Sequence, residues 1–366
     1  MRGALNRAGG WERFCRGLYQ SVDLRAEARR ARAGCRSQLA NVGGGMQGDR
    51  RAYRAQVLPF WARYGMRPRK MWYDLYCYKN GGYDARYIPE DLYWRRIYPA
   101  CNRPAFRHAY TDKCFTGQLF PLIKQPRTVV RNSGGVLRDA SGAILTPARA
   151  EALLAREERF VIKPAIYSGE GADIHFHEKS RAREGGVRDL MRAYGEDYIV
   201  QEIAAQHPAL ASIHPQSLNT IRVISFLFRG EVHISSAILR MGVGGARLDN
   251  VSAGGLACPI LPDGALGAQA MDRHARWVSR HPGGAVFADL RVPHFDAVIR
   301  AVRRAHGEVA HFRILGWDFS IDADGAPVLI EYNGAPGMNQ VSCGPLFGAL
   351  TEPALDMILL GAPEFP

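Results

Sequence analysis

The sequence predicts an α+β fold in which short antiparallel strands carry the chemistry and a basic helical extension precedes them. Three observations lead there. Two stretches, 159–176 and 316–334, read as strand–turn–strand units. Strand-length apolar runs recur at 198–202 and 217–226 within a stretch that mixes helical and strand patterns. The first 45 residues instead keep helical spacing, and no internal repeat or low-complexity tract interrupts the chain.

The extension is assigned to residues 1–59. Trp11, Phe14, Cys15, Leu18 and Val22 fall at i, i+3, i+4, i+7 and i+11, one stripe of a helix with Arg13 and Arg16 off it. Asn41-Val-Gly-Gly-Gly45 then breaks the helix. Residues 1–70 carry 16 Lys and Arg against 4 Asp and Glu, whereas the remaining 296 carry 32 against 31. A nearly neutral body argues against a nucleic-acid partner. The arm has two readings. One is a peripheral anchor for an anionic membrane through residues 1–45. The other is a first helix packed on the body with its arginines in water. The seven cysteines are scattered and form no C-x-x-C, which disfavours a zinc site or a disulfide framework and fits a reducing cytoplasm. No apolar run approaches the roughly 20 residues of a spanning helix. Nor does an apolar segment of about 7–15 residues follow Met1-Arg2, so no secretory signal is expected. The expected location is the cytoplasm, with the inner-membrane surface as the place an anchoring arm implies.

Residues 60–127 are expected to form an N-terminal lobe. Aromatics crowd its first half: Trp61, Tyr64, Trp72, Tyr73, Tyr76, Tyr78, Tyr83, Tyr87, Tyr93, Trp94 and Tyr98. Such a set makes a core with hydroxyls at its edge; stacking on a ring-shaped ligand is the alternative.

Residues 128–205 and 206–366 are expected to form a small and a C-terminal subdomain. In the first, Phe160 to Lys163 reads as a strand and Ile174 to Phe176 as its antiparallel return. The intervening Ser168-Gly-Glu-Gly171 is small enough for backbone N–H groups to approach phosphate oxygens, and Lys163 at the strand end could reach them too. Hairpin loops often contain glycine, and this one is neither the dinucleotide fingerprint nor a Walker A loop. Tyr198-Ile-Val-Gln-Glu202 is a further short strand with a polar end. His175 and His177 alternate on one strand face without a nearby cysteine, so they do not suggest zinc.

In the second, Arg222 sits between Ile221 and Val223 in a strand fit for burial and needs an anionic partner, either a carboxylate of the protein or a ligand phosphate. The hairpin at 316–334 turns at Asp322 to Gly325. Pairing those two residues sets Trp317 opposite Ile330 and Phe319 opposite Val328, an apolar face that includes Ile321 and Tyr332. Asp318, Leu329, Glu331 and Asn333 fall on the other face. Oxygen ligands so grouped suit Mg²⁺; a solvated face with scattered acids is the alternative. No Ser/His/Asp or Cys/His arrangement for a side-chain nucleophile is present.

Taken in order, these segments resemble the ATP-grasp superfamily and, more narrowly, the sugar-transfer-associated ATP-grasp family, over roughly residues 60 to 350. The resemblance is carried by Asp112-Lys113, Phe160-Val-Ile-Lys163-Pro164, Ser168-Gly-Glu-Gly171, Val200-Gln-Glu202, Asn219-Thr-Ile-Arg222, Leu239-Arg240-Met-Gly242, Asp249-Asn250, Gly254-Gly255, Gly316-Trp-Asp318 and Glu331-Tyr-Asn333. It implies ATP bound between two antiparallel sheets. Lys113 and Lys163 would contact the phosphates, and Ser168, Gly169 and Gly171 would close over them. Gln201, Glu202 and Ile203 would form the adenine hinge. Asp318, Glu331 and Asn333 would hold two Mg²⁺ ions, or Mn²⁺ in their place, with Glu331 bridging. Arg222 and Arg240 would be the catalytic cations, and Asn250, Gly254 and Gly255 would lie at the substrate. The chain departs from similar enzymes at Ala172-Asp173, where lysine and glycine are common, and at the ribose acid, where Gln206 and His207 stand.

The implied activity is an ATP- and Mg²⁺-dependent carboxylate–amine ligase acting through an acyl phosphate on small-molecule or sugar-linked substrates, in bacterial polysaccharide or glycoconjugate assembly. Two alternatives remain: a phosphotransferase acting on a hydroxyl, and a non-catalytic nucleotide-binding assembly module.

Overall fold

The computed structural model describes residues 23–43, 50–79, 82–166, 173–181 and 186–365. Two antiparallel sheets face one another. The smaller contains β1 (Thr128–Ser133), β2 (Val136–Arg138), β3 (Arg159–Pro164), β4 (His175–Glu178) and β5 (Tyr198–Gln201), in the order β2-β1-β5-β3-β4. Alternation along β3 divides its side chains. Phe160 and Ile162 join Val130, Tyr198 and Val200 in a core closed by Ala150 and Leu154 of the helix Pro147–Leu154. Val161 and Lys163 point the other way, toward the larger sheet. The β3–β4 hairpin expected from the sequence is present, with Ile162 opposite His175 and Phe160 opposite His177. His177 stacks on Phe160, ring centroids 4.4 Å apart.

The larger sheet holds β6 (Thr220–Phe228), β7 (Glu231–Met241), β8 (Leu256–Pro259), β9 (Ala270–Met271), β10 (Trp277–Val278), β11 (Ile314–Ile321) and β12 (Pro327–Asn333). Its order is β10-β9-β8-β7-β6-β11-β12. It is buried on both faces, and the period-two pattern sorts its residues. Ile221, Val223, Leu315, Trp317, Phe319 and Ile321 pack against Val298, Val302 and Ala305 of the helix Phe295–Gly307. Ile224, Phe226, Phe228 and Ile314 pack instead into the N-terminal lobe and onto Ala354 and Leu355 of the C-terminal helix. Thr220, Arg222 and Asp318 share that second face, beyond the edge of the lobe's core.

The β11–β12 register corrects the sequence-based pairing. Trp317 lies opposite Tyr332 and Asp318 opposite Glu331, and a bulge then sets Phe319 opposite Leu329 and Ile321 opposite Pro327. The turn is longer than supposed: Asp322 N–H bonds the Ala326 carbonyl at 3.0 Å, and the Asp322 carboxylate accepts from the Asp324 and Ala326 amides. One extra residue in β12 exchanges two side chains between faces. Leu329 joins the core, whereas Ile330 turns to the cleft beside Glu331.

The aromatics of residues 60–102 form the lobe's core, as their packing reading required; Trp61, Trp72, Tyr73, Tyr93 and Tyr98 are fully buried. Two helical stretches contain Pro59 and Pro99, and each widens by a π turn just before the proline. Leu58 N–H reaches Tyr53 O, and Tyr98 N–H reaches Tyr93 O. A five-residue repeat accommodates the missing proline donor without breaking the helix. Residues 23–41 are helical, and Ala28 and Cys35 are buried in the lobe. This part of the arm is therefore packed on the body, a correction to its reading as part of a free anchor. The stripe from Trp11 to Val22 lies outside the described residues. No helix among the described residues is long and apolar enough to cross a membrane.

Candidate active site

A cleft of about 360 Å³ opens between the two sheets. Lys163 and Gln201 line it from the smaller sheet, and Arg240, Asp318 and Glu331 from the larger. A second cavity of about 300 Å³ adjoins it, and Lys113, Arg240, Asn250 and Glu331 line both. Arg222 and Asn333 line only the second.

Strand order creates the charged wall between them. Because β6 runs between β7 and β11, Arg222 lies directly across from Asp318, and Thr220 directly across from Arg240. Arg222 grips Asp318 with two nitrogens: Nε bonds Oδ1, and Nη2 donates to Oδ2 at 2.6 Å. Arg240 Nη2 approaches the same Oδ2 at 3.2 Å and donates to Thr220 Oγ1 at 2.8 Å. Asp249, buried behind them, accepts from the Thr220 amide at 3.1 Å and from its hydroxyl. Lys113 Nζ stands 3.6 Å from Glu331.

Burial and charge shift these groups in opposite directions. Burial alone would raise the Asp318 pKa, but Arg222 and Arg240 outweigh it and hold the carboxyl below the ordinary carboxylate range. Burial favours neutral Lys163, and neighbouring Lys113 adds to the effect against the pull of Glu331; the ammonium drops to about 8. Asp249 is pushed up, chiefly by burial. Lys113, Lys163, Arg222 and Arg240 face Asp249, Asp318 and Glu331, so the wall has more cationic than anionic groups and is suited to an added anion.

The structure brings together Lys113, Lys163, Gln201, Glu202, Ile203, Arg240, Asn250, Asp318 and Glu331 around the cleft. Ser168, Gly169 and Gly171 lie outside the described residues. The Glu202 N–H is already bonded to Arg127 O at 3.0 Å. Gly254 and Gly255 line neither cavity. They shape the turn into β8: Gly254 has φ +102°, and a Cβ on Gly255 would lie 2.6 Å from Met241 O. Asn333 Oδ1 accepts from Ala335 N–H at 2.8 Å.

Three contributors were given no role from the sequence. Asp249 and Thr220 anchor Arg240; both lie in segments that carry the resemblance, Asp249-Asn250 and Asn219-Thr-Ile-Arg222, but nothing in the sequence joined them to Arg240. Arg247 reaches from the β7–β8 connection to the smaller sheet, 3.1 Å from Glu178 and 4.4 Å above the Phe176 ring.

Among the described residues no group of three or more His, Cys, Asp or Glu is placed to hold a metal ion. The oxygen donors at the wall are Asp318, Glu331 and the amide of Asn333, a hard set that fits a cation such as Mg²⁺ once Asp318 exchanges an arginine for it.

The fold is similar to that of several solved structures. An L-amino acid ligase from Bacillus licheniformis is 13% identical, over 68% of this chain and 47% of that one, with a TM-score of 0.39. A D-cycloserine synthetase is 20% identical, over 67% and 70%, with a TM-score of 0.38. A D-alanyl-alanine synthetase A from Vibrio cholerae is 12% identical, over 69% and 65%, with a TM-score of 0.40. The chain thus spans less than half the length of the first of these. No curated protein matches it. The family model described as sugar-transfer associated ATP-grasp matches residues 95–345, which include both sheets and every residue of the charged wall, and the chain belongs to that family.

Proposed function

We propose that the protein is an ADP-forming, ATP- and Mg²⁺-dependent ligase that joins a carboxylate to an amine through an acyl phosphate. The observation that supports it is the pair of joined cavities with Arg240, Lys113 and Glu331 in their common wall. A phosphoryl group crossing from one cavity to the other would pass these residues.

ATP would occupy the larger cleft, its base near Gln201, Glu202 and Ile203 and its phosphates near Lys113 and Lys163. Attack of a carboxylate on the γ-phosphate brings two anions together, so catalysis needs fixed positive charge at that point. Arg222 and Arg240 supply it and are held in place by Asp318, Thr220 and Asp249. Asp318, Glu331 and Asn333 would hold Mg²⁺, which screens the phosphate oxygens and orients them. Ser168, Gly169 and Gly171 would cover the phosphates, while Asn250 would border the acceptor, with Gly254 and Gly255 shaping the turn behind it rather than touching the substrate. The family's description as sugar-transfer associated supports a place in bacterial polysaccharide or glycoconjugate assembly.

The test is ADP release across a panel of carboxylates and amines. The ligase reading expects turnover only when both partners are present. Turnover with a single hydroxylated acceptor that retains phosphate would replace this reading with a phosphotransferase.

A further inference from the structure

The second cavity differs from the cleft in what it offers a ligand. Arg222 and Arg240 present positive charge at one wall. Asn250, Ser252, Asn333 and Asn339 add amides and a hydroxyl, Lys113 and Glu331 stand where the cavity meets the cleft, and Ile166, Ile238 and Val251 form a smaller apolar part of the lining. Two of these amides decline a local role that their positions invite. Asn250 and Asn339 each precede a helical turn, and neither side chain caps it. Asn339 also holds a left-handed backbone, φ +53°, that asparagine tolerates but seldom adopts. Its amide nitrogen is 3.4 Å from Ser236 Oγ, which leaves its carbonyl oxygen for the cavity. Asn333 does the reverse: its oxygen is bonded to Ala335, and its NH₂ remains.

We infer that this cavity receives the carboxylate substrate, and that the substrate is a compact hydroxylated acid rather than one bearing an alkyl or aromatic side chain. The inference rests on the ligase reading for the order of events but on the cavity lining for the chemistry. Two arginines match a carboxylate. Amides that offer both donors and acceptors match hydroxyls, each of which is itself donor and acceptor. An alkyl group in the same place would strip water from those amides and return no hydrogen bond, the situation in which polar sites reject analogues strongly. At about 300 Å³ the cavity has room for a small hydroxylated acid.

The experiment uses the full chain with Mg·ADP present and compares matched acids by calorimetry: threonate against butyrate, and gluconate against hexanoate. The hydroxylated member of at least one pair should bind tenfold or more tightly than its alkyl counterpart. Asn339→Gly, which suits the left-handed backbone, and Ser252→Ala should each reduce that ratio by about threefold or more. Both residues line only the second cavity, so Mg·ATP affinity should stay within about twofold. Equal or tighter binding of the alkyl acids, a ratio unmoved in both variants, or no binding by any hydroxylated acid would overturn the inference. The ligase reading fails separately: hydroxy acids that bind to a protein with no affinity for Mg·ATP would refute that reading and leave the cavity assignment standing.

Discussion

At the scale of single residues, Lys163 and Asp318 show how burial and charge compete. Lys163 is held near a pKa of about 8, so in the ligand-free protein it loses its charge as pH rises through that value. An anion in the cleft favours the charged form. Binding of Mg·ATP should therefore take up protons above pH 8, and affinity should fall by up to about tenfold per pH unit there. Titration calorimetry in two buffers of different ionisation enthalpy measures the uptake, and Lys163→Met should abolish it. Asp318 is the partner that the sequence could require for Arg222 but could not name: the choice between a protein carboxylate and a ligand phosphate depends on a strand ninety-six residues away. Asp318→Ala would leave the half-buried Arg222 without its counter-charge, and urea unfolding should register a loss of about 2–3 kcal/mol, below the cost of orphaning a fully buried charge. Asp318→Asn, which keeps a hydrogen-bond acceptor, should lose less.

At the scale of elements, the hairpin of β11 and β12 shows what pattern can and cannot predict. The assignment of Trp317, Phe319 and Ile321 to a core face was legible because strand side chains alternate, and so was the grouping of Asp318 with Glu331. The pairing was not legible, because it depends on the length of a turn held by the Asp322 carboxylate and on a bulge that period-two reasoning has no means to foresee. The π turns ahead of Pro59 and Pro99 are similar: a proline inside a helical run signals an irregularity without specifying its form. The helix Phe295–Gly307 meets β6 and β11 through His306. The Phe312 carbonyl can only accept, so Nε2 carries the proton, and Nδ1 accepts from Ser225, whose oxygen in turn accepts from Trp317 Nε1. This chain is satisfied only by neutral imidazole, and burial pulls the His306 pKa from 6.5 down to about 4. The folded state then binds fewer protons than the unfolded state between these values, so stability should fall as pH drops from about 6.5 to 4, by about 3 kcal/mol. Denaturant titrations across that range check it; His306→Gln should flatten the slope.

At the scale of the whole molecule, the site exists because loops and strands distant in sequence meet across two sheets. Each motif was legible separately: the Lys163 strand, the Arg222 strand and the acidic hairpin. Their ordered resemblance to a family supplied the arrangement that spacing alone left open. Lys113 shows the limit. It lies in a connection outside both sheets, and only the assembled structure sets it 3.6 Å from Glu331, at the wall of both cavities. The packed half of the arm shows the same limit from the other side: positive charge read from composition does not reveal that Ala28 and Cys35 are buried in the lobe.

The central claim is that a carboxylate oxygen is phosphorylated between these cavities and an amine then displaces phosphate. An acid that supports ADP release, labelled with ¹⁸O in its carboxylate, tests this directly. One labelled oxygen should be recovered in inorganic phosphate for each amide formed. Label retained wholly in the acid or its product, with the γ-phosphate transferred to a hydroxyl, would contradict the account.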